Sequence, residues 1–270
     1  MFCKSLKKIT AITSTICHLM NVEKPANSTR VVLKEVIEKA NALGINKIDK
    51  CLVFAPDAIG SFLIEKYLKN FSFLRDSNTL SIELCSVFPP KTPVCFASMF
   101  SGALPEKHGI KAYQKPTLHC DTIFDSMIRS KKKVAIVAVK DSSIDLIFRE
   151  RNIDYFSEKN DNEVLSRTMS IIKEKKKYDL TIVYNQEYDD ILHKTSPESE
   201  EAIQAMKNHL KNYKTIIDLI ANYWAESNNL IAFTPDHGAH FDEKSKTGIH
   251  GDNIPVDMLV THFFTFIKKR

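Results

Sequence analysis

Residues 51–57 read CLVFAPD, a short apolar run that ends in a proline and an aspartate. A similar apolar run occurs in DLTIVYN (179–185), and the run in LIAFTPDHG (230–238) is again followed by a proline and an aspartate. Apolar runs of this length predict strands that are buried on both faces, as in parallel sheets. Segments with helical spacing at 29–43, 59–70 and 162–176 alternate with these strands. The alternation predicts an α/β fold.

The remaining segments fit the same plan. Strands are predicted at 81–88 and 134–139, a helix at 93–101, and a last strand or short helix at 262–268. The longest helix is predicted from Pro197 to Glu226, with Ser196 as its N-cap. We therefore expect a three-layer α/β sandwich with a largely parallel central sheet. One domain should span 1–270 with little or no cap insertion, and segment 110–134 is the candidate for a lid.

The composition argues against a nucleic-acid polymer or a membrane as a partner. The formal net charge is +5, and the lysine runs 131–133 and 175–177 lack the interleaved aromatics of a nucleic-acid groove. No run approaches the roughly 20 apolar residues of a membrane span. Polar residues interrupt segment 1–20, which favours a helix of the domain over a signal peptide. A small anionic substrate fits the mild positive charge.

The six cysteines form no CxxC pair, and several lie within apolar runs. Buried thiols of this kind are usually reduced. We therefore expect all six to be reduced and the protein to be cytoplasmic.

Aspartates and histidines collect just beyond the predicted strands, where open α/β sheets bind ligands. One such residue taken alone is more often a helix cap or a surface group. Six of them after three strands and in one glycine-containing loop favour a metal site. Mixed Asp and His ligands suit zinc or manganese better than magnesium or calcium. The candidate ligands are Asp57, Asp189, His193, Asp236, His237 and His250.

Thr92 is the candidate nucleophile. It follows a predicted strand and precedes a predicted helix, whose first backbone N–H groups can receive a phosphoryl oxygen. A bound metal can activate a threonine hydroxyl for attack. The alternative interpretation is that Thr92 only caps the helix.

These motifs resemble a known family. KTPVCFASMFSGALPEKHGI (91–110) resembles the nucleophile segment of type I phosphodiesterases and nucleotide pyrophosphatases, in the alkaline phosphatase superfamily. DDILHK (189–194) resembles their Asp-x-x-x-His motif, and still more that of phosphonoacetate hydrolases. TPDHG (234–238) and GIHG (248–251) are similar to the Asp-His-Gly and the final histidine of the superfamily.

The resemblance implies an alkaline phosphatase-like fold and a phosphoric ester hydrolase with two divalent metal ions, zinc or else manganese. Asp57, Thr92, Asp236 and His237 would surround one ion. Asp189, His193 and His250 would hold the other. Thr92 would attack phosphorus, and water would then release phosphate from it. No organic cofactor is implied.

The chain departs from the family pattern at two positions. Cys95 replaces an asparagine that helps to hold a phosphate oxygen, and Leu192 replaces a glycine before the second-cluster histidine. Three interpretations stay open: a phosphodiesterase or phosphomonoesterase, a carbon–phosphorus hydrolase of the phosphonoacetate type, and a catalytically silent metal-binding scaffold. A sulfatase is excluded because Cys95 lacks the required flanking sequence. A phosphoglycerate mutase-like isomerase would need a second domain.

Overall fold

A central sheet dominates the structure, a computed structural model that describes residues 3–174 and 177–270. Within these ranges the sheet has seven strands in the order β2-β9-β6-β1-β5-β3-β4, and β7 pairs with β8 in a separate hairpin. The strands are β1 (Lys50–Pro56), β2 (Thr79–Cys85), β3 (Val134–Val139), β4 (Asp154–Glu158), β5 (Leu180–Asn185), β6 (Asn229–Phe233), β7 (His240–Asp242), β8 (Thr247–Ile249) and β9 (Leu259–Ile267).

Eleven α-helices and one 3-10 helix, Leu68–Leu74, accompany these strands within the described ranges. The helices are α1 (Ala11–Leu19), α2 (Lys34–Ala42), α3 (Ser61–Lys66), α4 (Thr92–Ser101), α5 (Pro105–His108), α6 (Ile123–Arg129), α7 (Ser143–Ile147), α8 (Asp161–Lys173), α9 (Glu187–Leu192), α10 (Glu200–Tyr223) and α11 (Pro255–Met258). Lys175 and Lys176, at the end of the helix predicted at 162–176, lie outside the described residues.

The sheet is largely parallel, as predicted. Strands β6, β1, β5, β3 and β4 run parallel to one another, and β9 runs antiparallel to both β6 and β2. Alternate residues of β1 enter different cores. Val53 and Ala55 join the core under α1, α4 and α6, whereas Leu52 and Phe54 join the core under α8 and α10. Helices therefore cover both faces, and the predicted three-layer α/β fold is confirmed.

The register of the sheet places the polar segments that follow β1, β5 and β6 at one edge. Phe54 of β1 lies beside Val183 of β5 and Phe233 of β6. Because all three strands run in the same direction, the residues after them emerge together. These segments carry five of the candidate metal ligands.

Several element boundaries differ from the predictions. The segment predicted as one helix at 59–70 is α3 followed by the 3-10 helix, α2 begins at Lys34, and β4 was not predicted. The final segment is a strand, β9. The predicted N-cap Ser196 is wrong: Ser199 caps α10 by accepting from the backbone N–H of Ala202. The Tyr188 hydroxyl donates a hydrogen bond to the Pro197 carbonyl at 3.0 Å. The chain turns at Pro197, before the helix begins.

The expectation that all six cysteines are reduced is wrong for one pair. Cys3 and Cys85 form a disulfide, with Cα atoms 5.7 Å apart. It ties the N-terminal segment to the end of β2, a contact between residues 82 positions apart that spacing did not predict. Cys17, Cys51, Cys95 and Cys120 are free thiols. The cytoplasmic location stays a prediction, resting on those four residues.

Among the residues that the structure describes, we find no helix with the length and apolar character needed to cross a membrane.

Candidate metal centre and active site

Three ligand candidates meet where β1 and β6 end. Asp57 follows β1, and Asp236 and His237 follow β6. All three are buried. Nε2 of His237 lies 3.5 Å from Asp57 Oδ1 and 3.2 Å from Asp236 Oδ2. Their ligand atoms are close enough together to surround a single cation.

Three further candidates form a second cluster beside the first. Asp189 lies on α9, His193 is the C-cap of that helix, and His250 follows β8. The i, i+4 spacing brings Nε2 of His193 to 3.4 Å from Asp189 Oδ1, and Nε2 of His250 lies 3.5 Å from the same oxygen. This cluster also meets the geometry of a cation site.

Backbone carbonyls orient the three histidines. Nδ1 of His193 donates to the Gly248 carbonyl at 2.9 Å, Nδ1 of His237 to the Gly238 carbonyl at 3.0 Å, and Nδ1 of His250 to the Pro90 carbonyl at 2.8 Å. A carbonyl can only accept, so Nδ1 carries the proton in each ring. Nε2 therefore directs its lone pair into the site, as a metal-binding imidazole requires.

The two clusters fit divalent cations. Asp189 Oδ1 and Asp236 Oδ2 are buried and have no hydrogen-bond partner among the described residues. A buried carboxylate oxygen without a donor is costly, and a cation satisfies it. With three imidazole nitrogens beside these oxygens, the donors are of the type that zinc and manganese accept.

Burial makes the site electrostatically unfavourable without a cation. Burial, together with the charge of nearby Asp236, raises the pKa of Asp189 to about 8. Burial likewise holds the pKa of Asp57 and of Asp236 well above the ordinary aspartate range. It also lowers the pKa of His250 to about 3. Neutral imidazoles and crowded carboxylates are the states that a divalent cation stabilises.

Thr92 lies at the first cluster. It is the first residue of α4, after an extended Lys91, and it is 3 % exposed. Its hydroxyl oxygen lies 3.5 Å from Asp57 Oδ1 and 3.4 Å from Nε2 of His237. Pro93 sets the first turn of the helix. The structure thus brings all seven residues predicted for the site together.

A cavity of about 150 Å³ opens onto this arrangement. Asp57, Thr92 and Asp189 line it, together with Lys115 and Lys140. The candidate lid, segment 110–134, contributes Tyr113 and Lys115 to the lining. A larger cavity of about 370 Å³ beside Trp224 contains none of the candidate ligands, so we assign the site to the smaller one.

Three residues that support the site were not predicted from the sequence. Lys91 donates through Nζ to the His250 carbonyl. Oδ2 of Asp257 accepts the backbone N–H groups of Gly251 and Asp252, both at 2.9 Å, and its Oδ1 pairs with His240. His262 donates through Nε2 to the carbonyl of Pro235, next to Asp236. Asp257 is fully buried, and this burial could not be predicted from the sequence.

The position of Cys95 explains one departure from the family pattern. Its thiol is buried in the core and lies 3.1 Å from the Ser86 hydroxyl, and it does not line the cavity. It therefore offers no donor to a substrate. Leu192, the other departure, is buried against Gly248, where a Cβ would come within 2.8 Å of the leucine side chain.

Other polar residues near the site differ in position. Tyr184 lines the cavity and donates to Asp57 Oδ2, whereas Asn185 and Tyr188 do not line it. His108 pairs with the Ser98 hydroxyl at 2.8 Å and accepts from the Ile110 N–H, so its contacts are structural.

Comparison with known proteins supports the motif assignment. Residues 51–119 match the family model of type I phosphodiesterase / nucleotide pyrophosphatase. This range includes Asp57 and Thr92 and ends before the other candidate ligands. The predicted resemblance to the type I phosphodiesterases is confirmed. No curated protein sequence matches the chain significantly.

Solved structures share the fold. An inactive variant of murine ectonucleotide pyrophosphatase/phosphodiesterase 5 in complex with AMP is 17% identical with a TM-score of 0.59, over 73% of this chain and 59% of the other. The human protein of that name is 17% identical with a TM-score of 0.58, over 72% and 59%. Phosphonoacetate hydrolase from Sinorhizobium meliloti 1021 in complex with phosphonoacetate is 14% identical with a TM-score of 0.53, over 71% and 57%.

The chain thus has the predicted alkaline phosphatase-like fold. Its matched part spans about three fifths of the length of these neighbours.

Proposed function

We propose that the chain hydrolyses small phosphate esters, with Thr92 as the nucleophile and two divalent metal ions, zinc or manganese, in the two clusters. The placement of Thr92 beside two complete ligand clusters supports this proposal most strongly. The family match over 51–119 agrees with it. A catalytically silent scaffold would not need a nucleophile within 3.5 Å of a ligand aspartate.

Thr92 carries the bond changes of the proposed reaction. Its Oγ loses its proton and forms a bond to phosphorus while the ester oxygen leaves and takes up a proton. Water then cleaves the phosphothreonine and restores the hydroxyl, which releases phosphate from a monoester substrate and the remaining monoester from a diester. Bound divalent cations would lower the pKa of the hydroxyl and offset charge on the leaving oxygen. The start of α4 directs its unpaired N–H groups towards the phosphoryl oxygens.

A second candidate function is carbon–phosphorus hydrolysis of the phosphonoacetate type. The observation in its favour is the pair of lysines, Lys115 and Lys140, in the cavity that contains Thr92. They suit a substrate with an anionic group in addition to the phosphoryl group. One of the neighbours was solved in complex with phosphonoacetate.

The test is hydrolysis by the purified chain, with zinc or manganese added, of bis-p-nitrophenyl phosphate, p-nitrophenyl phosphate and phosphonoacetate. We expect metal-dependent turnover of one of them, and its loss in Thr92→Ala while metal binding persists. The compound that the chain hydrolyses fastest decides between phosphate-ester hydrolysis and carbon–phosphorus hydrolysis. Full activity of Thr92→Ala would refute the assignment of Thr92 as the nucleophile. Absence of both turnover and bound metal would overturn both candidate functions.

A further inference from the structure

The short helix α9, which carries metal-ligand candidates, depends on groups outside the helix to bond its first N–H groups. The first four N–H groups of a helix have no partner within it. In α9, the side chain of the N-cap residue Gln186 accepts no capping hydrogen bond from the N–H groups of the first turn. Partners for its first N–H groups must come from other parts of the chain.

Two buried side chains from neighbouring helices provide these partners. Asp161, the first residue of α8, accepts the N–H of Gln186 at 3.1 Å through Oδ1 and that of Glu187 at 2.9 Å through Oδ2. His209 of α10 accepts the N–H of Tyr188 at 3.2 Å through Nε2. Three of the four N–H groups are thereby paired.

The histidine and the aspartate also lie side by side. Because Nε2 of His209 accepts a backbone proton, its own proton resides on Nδ1. That nitrogen lies 3.7 Å from Asp161 Oδ2, beyond hydrogen-bond distance, and no described residue accepts its proton. His209 is fully buried, and Asp161 is 7 % exposed. The side chains are therefore held by packing rather than free to move in solvent.

The pairing fixes the part of α9 that matters for the second cluster. Asp189 follows Tyr188 directly, and its Oδ1 is the atom that both His193 and His250 approach. Since α9 has only six residues, it has little internal hydrogen bonding to hold its own position. Its orientation then depends on what binds its first turn.

We propose that Asp161 and His209 are positioning residues, which fix α9 so that Asp189 and His193 hold the second cation in register with the first. The inference rests on the proposed two-metal site. Neither residue lines the cavity that contains Thr92, so both act through α9 rather than on a substrate.

The experiment compares Asp161→Asn with wild type by calorimetric titration of the metal-free chain with Zn²⁺, resolving the two binding steps. An amide has one acceptor oxygen, so it must place an N–H against one of the two backbone donors. We expect the second-cluster affinity to fall by about 10–100-fold, as for other groups that orient metal ligands, with the first-cluster affinity unchanged. His250→Ala identifies the step that belongs to the second cluster.

Matched variants separate positioning from general stability. Glu163→Gln makes the same charge change in the first turn of α8, where Glu163 contacts Lys159 rather than α9, and should leave both affinities unchanged. His209→Gln keeps an acceptor and should retain more second-step affinity than His209→Phe. Added Zn²⁺ should restore the turnover of Asp161→Asn.

The outcomes are distinguishable. Equal affinities in Asp161→Asn and wild type, or an equal loss at both steps with a lower melting temperature, would overturn the positioning role while leaving the two-metal proposal standing. A wild-type chain that binds no Zn²⁺ would overturn both.

Discussion

The rings of His237 and His250 stack with their centroids 3.9 Å apart and their planes inclined by 22°. His237 belongs to the first cluster and His250 to the second, so this contact joins the two. It exists because the segment after β6 and the loop after β8 fold over the same edge of the sheet. A change at either histidine therefore tests whether the clusters bind metal independently.

The first prediction concerns His250→Ala. The second cluster would keep only Asp189 and His193, and a site with two protein ligands binds zinc weakly. We expect its affinity to fall by more than about 100-fold, since loss of an orienting partner alone costs about 10–100-fold. Metal content after dialysis, measured by atomic emission, should drop from two equivalents to one. Two retained equivalents would contradict the assignment of His250, and His119→Ala is the control.

The second prediction concerns Asp257→Asn. The carboxylate holds the backbone after His250 through two N–H groups and pairs with His240 through its other oxygen. An amide cannot accept on both sides, so the loop should loosen. We expect about 10–100-fold weaker binding at the second cluster. Asp252→Asn, an exposed carboxylate in the same loop, should behave like wild type, and equal effects of the two changes would argue against a specific role for Asp257.

The sequence predicted most of the central sheet because its strand cores are short apolar runs, and candidate ligands were identified where a polar residue directly follows such a run. Asp57 and Asp236 could be recognised for that reason. The supporting residues could not be recognised. Asp161 and His209 contact residues 21 to 26 positions away, and Asp257 contacts backbone five and six positions away. In the sequence, all three resemble ordinary surface aspartates or a core histidine. The cap of α10 was missed because Ser196 and Ser199 fit the pattern equally well, and the Tyr188–Pro197 contact decides between them.

Edge elements were also hidden from the sequence. Strand β4 reads DYFSE, in which polar and aromatic residues share a short segment with no apolar core. It forms because β3 offers a free edge for pairing, which is a property of the assembled sheet. The Cys3–Cys85 bond likewise depends on where the N-terminal segment lies relative to β2.

The third prediction concerns Lys140→Gln, which removes one positive charge from the cavity. If the substrate has a second anionic group, loss of a charge-assisted hydrogen bond should raise KM by about tenfold. KM for phosphonoacetate should then rise more than KM for p-nitrophenyl phosphate. Lys111→Gln, an exposed lysine outside the cavity, is the matched control. Identical KM changes for both substrates would indicate that Lys140 contributes only to the general positive field.

The fourth prediction concerns the stability of the metal-free protein as a function of pH. Burial raises the pKa of Asp189 to about 8, from 3.8 for an ordinary aspartate. A raised pKa means that the folded state binds the proton more tightly than the unfolded state. This contribution to stability is complete below the unfolded pKa and is lost as the pH rises through the folded one. The buried histidines, such as His250, whose pKa burial lowers, contribute the opposite slope while they titrate in the unfolded chain. In EDTA, the urea midpoint of wild type relative to that of Asp189→Asn should therefore fall between pH 5 and pH 8.

Two comparisons make this prediction specific to the site. Asp189→Asn cannot titrate there, so its midpoint in EDTA should fall less steeply over the same interval. Saturating Zn²⁺ should raise the wild-type midpoint more at pH 8 than at pH 5, because the cation binds the ionised carboxylates and competes with protons. If the urea midpoint of wild type falls with pH as steeply as that of Asp189→Asn, Asp189 titrates normally. Metal binding would then not stabilise the protein by relieving the unfavourable burial of this carboxylate.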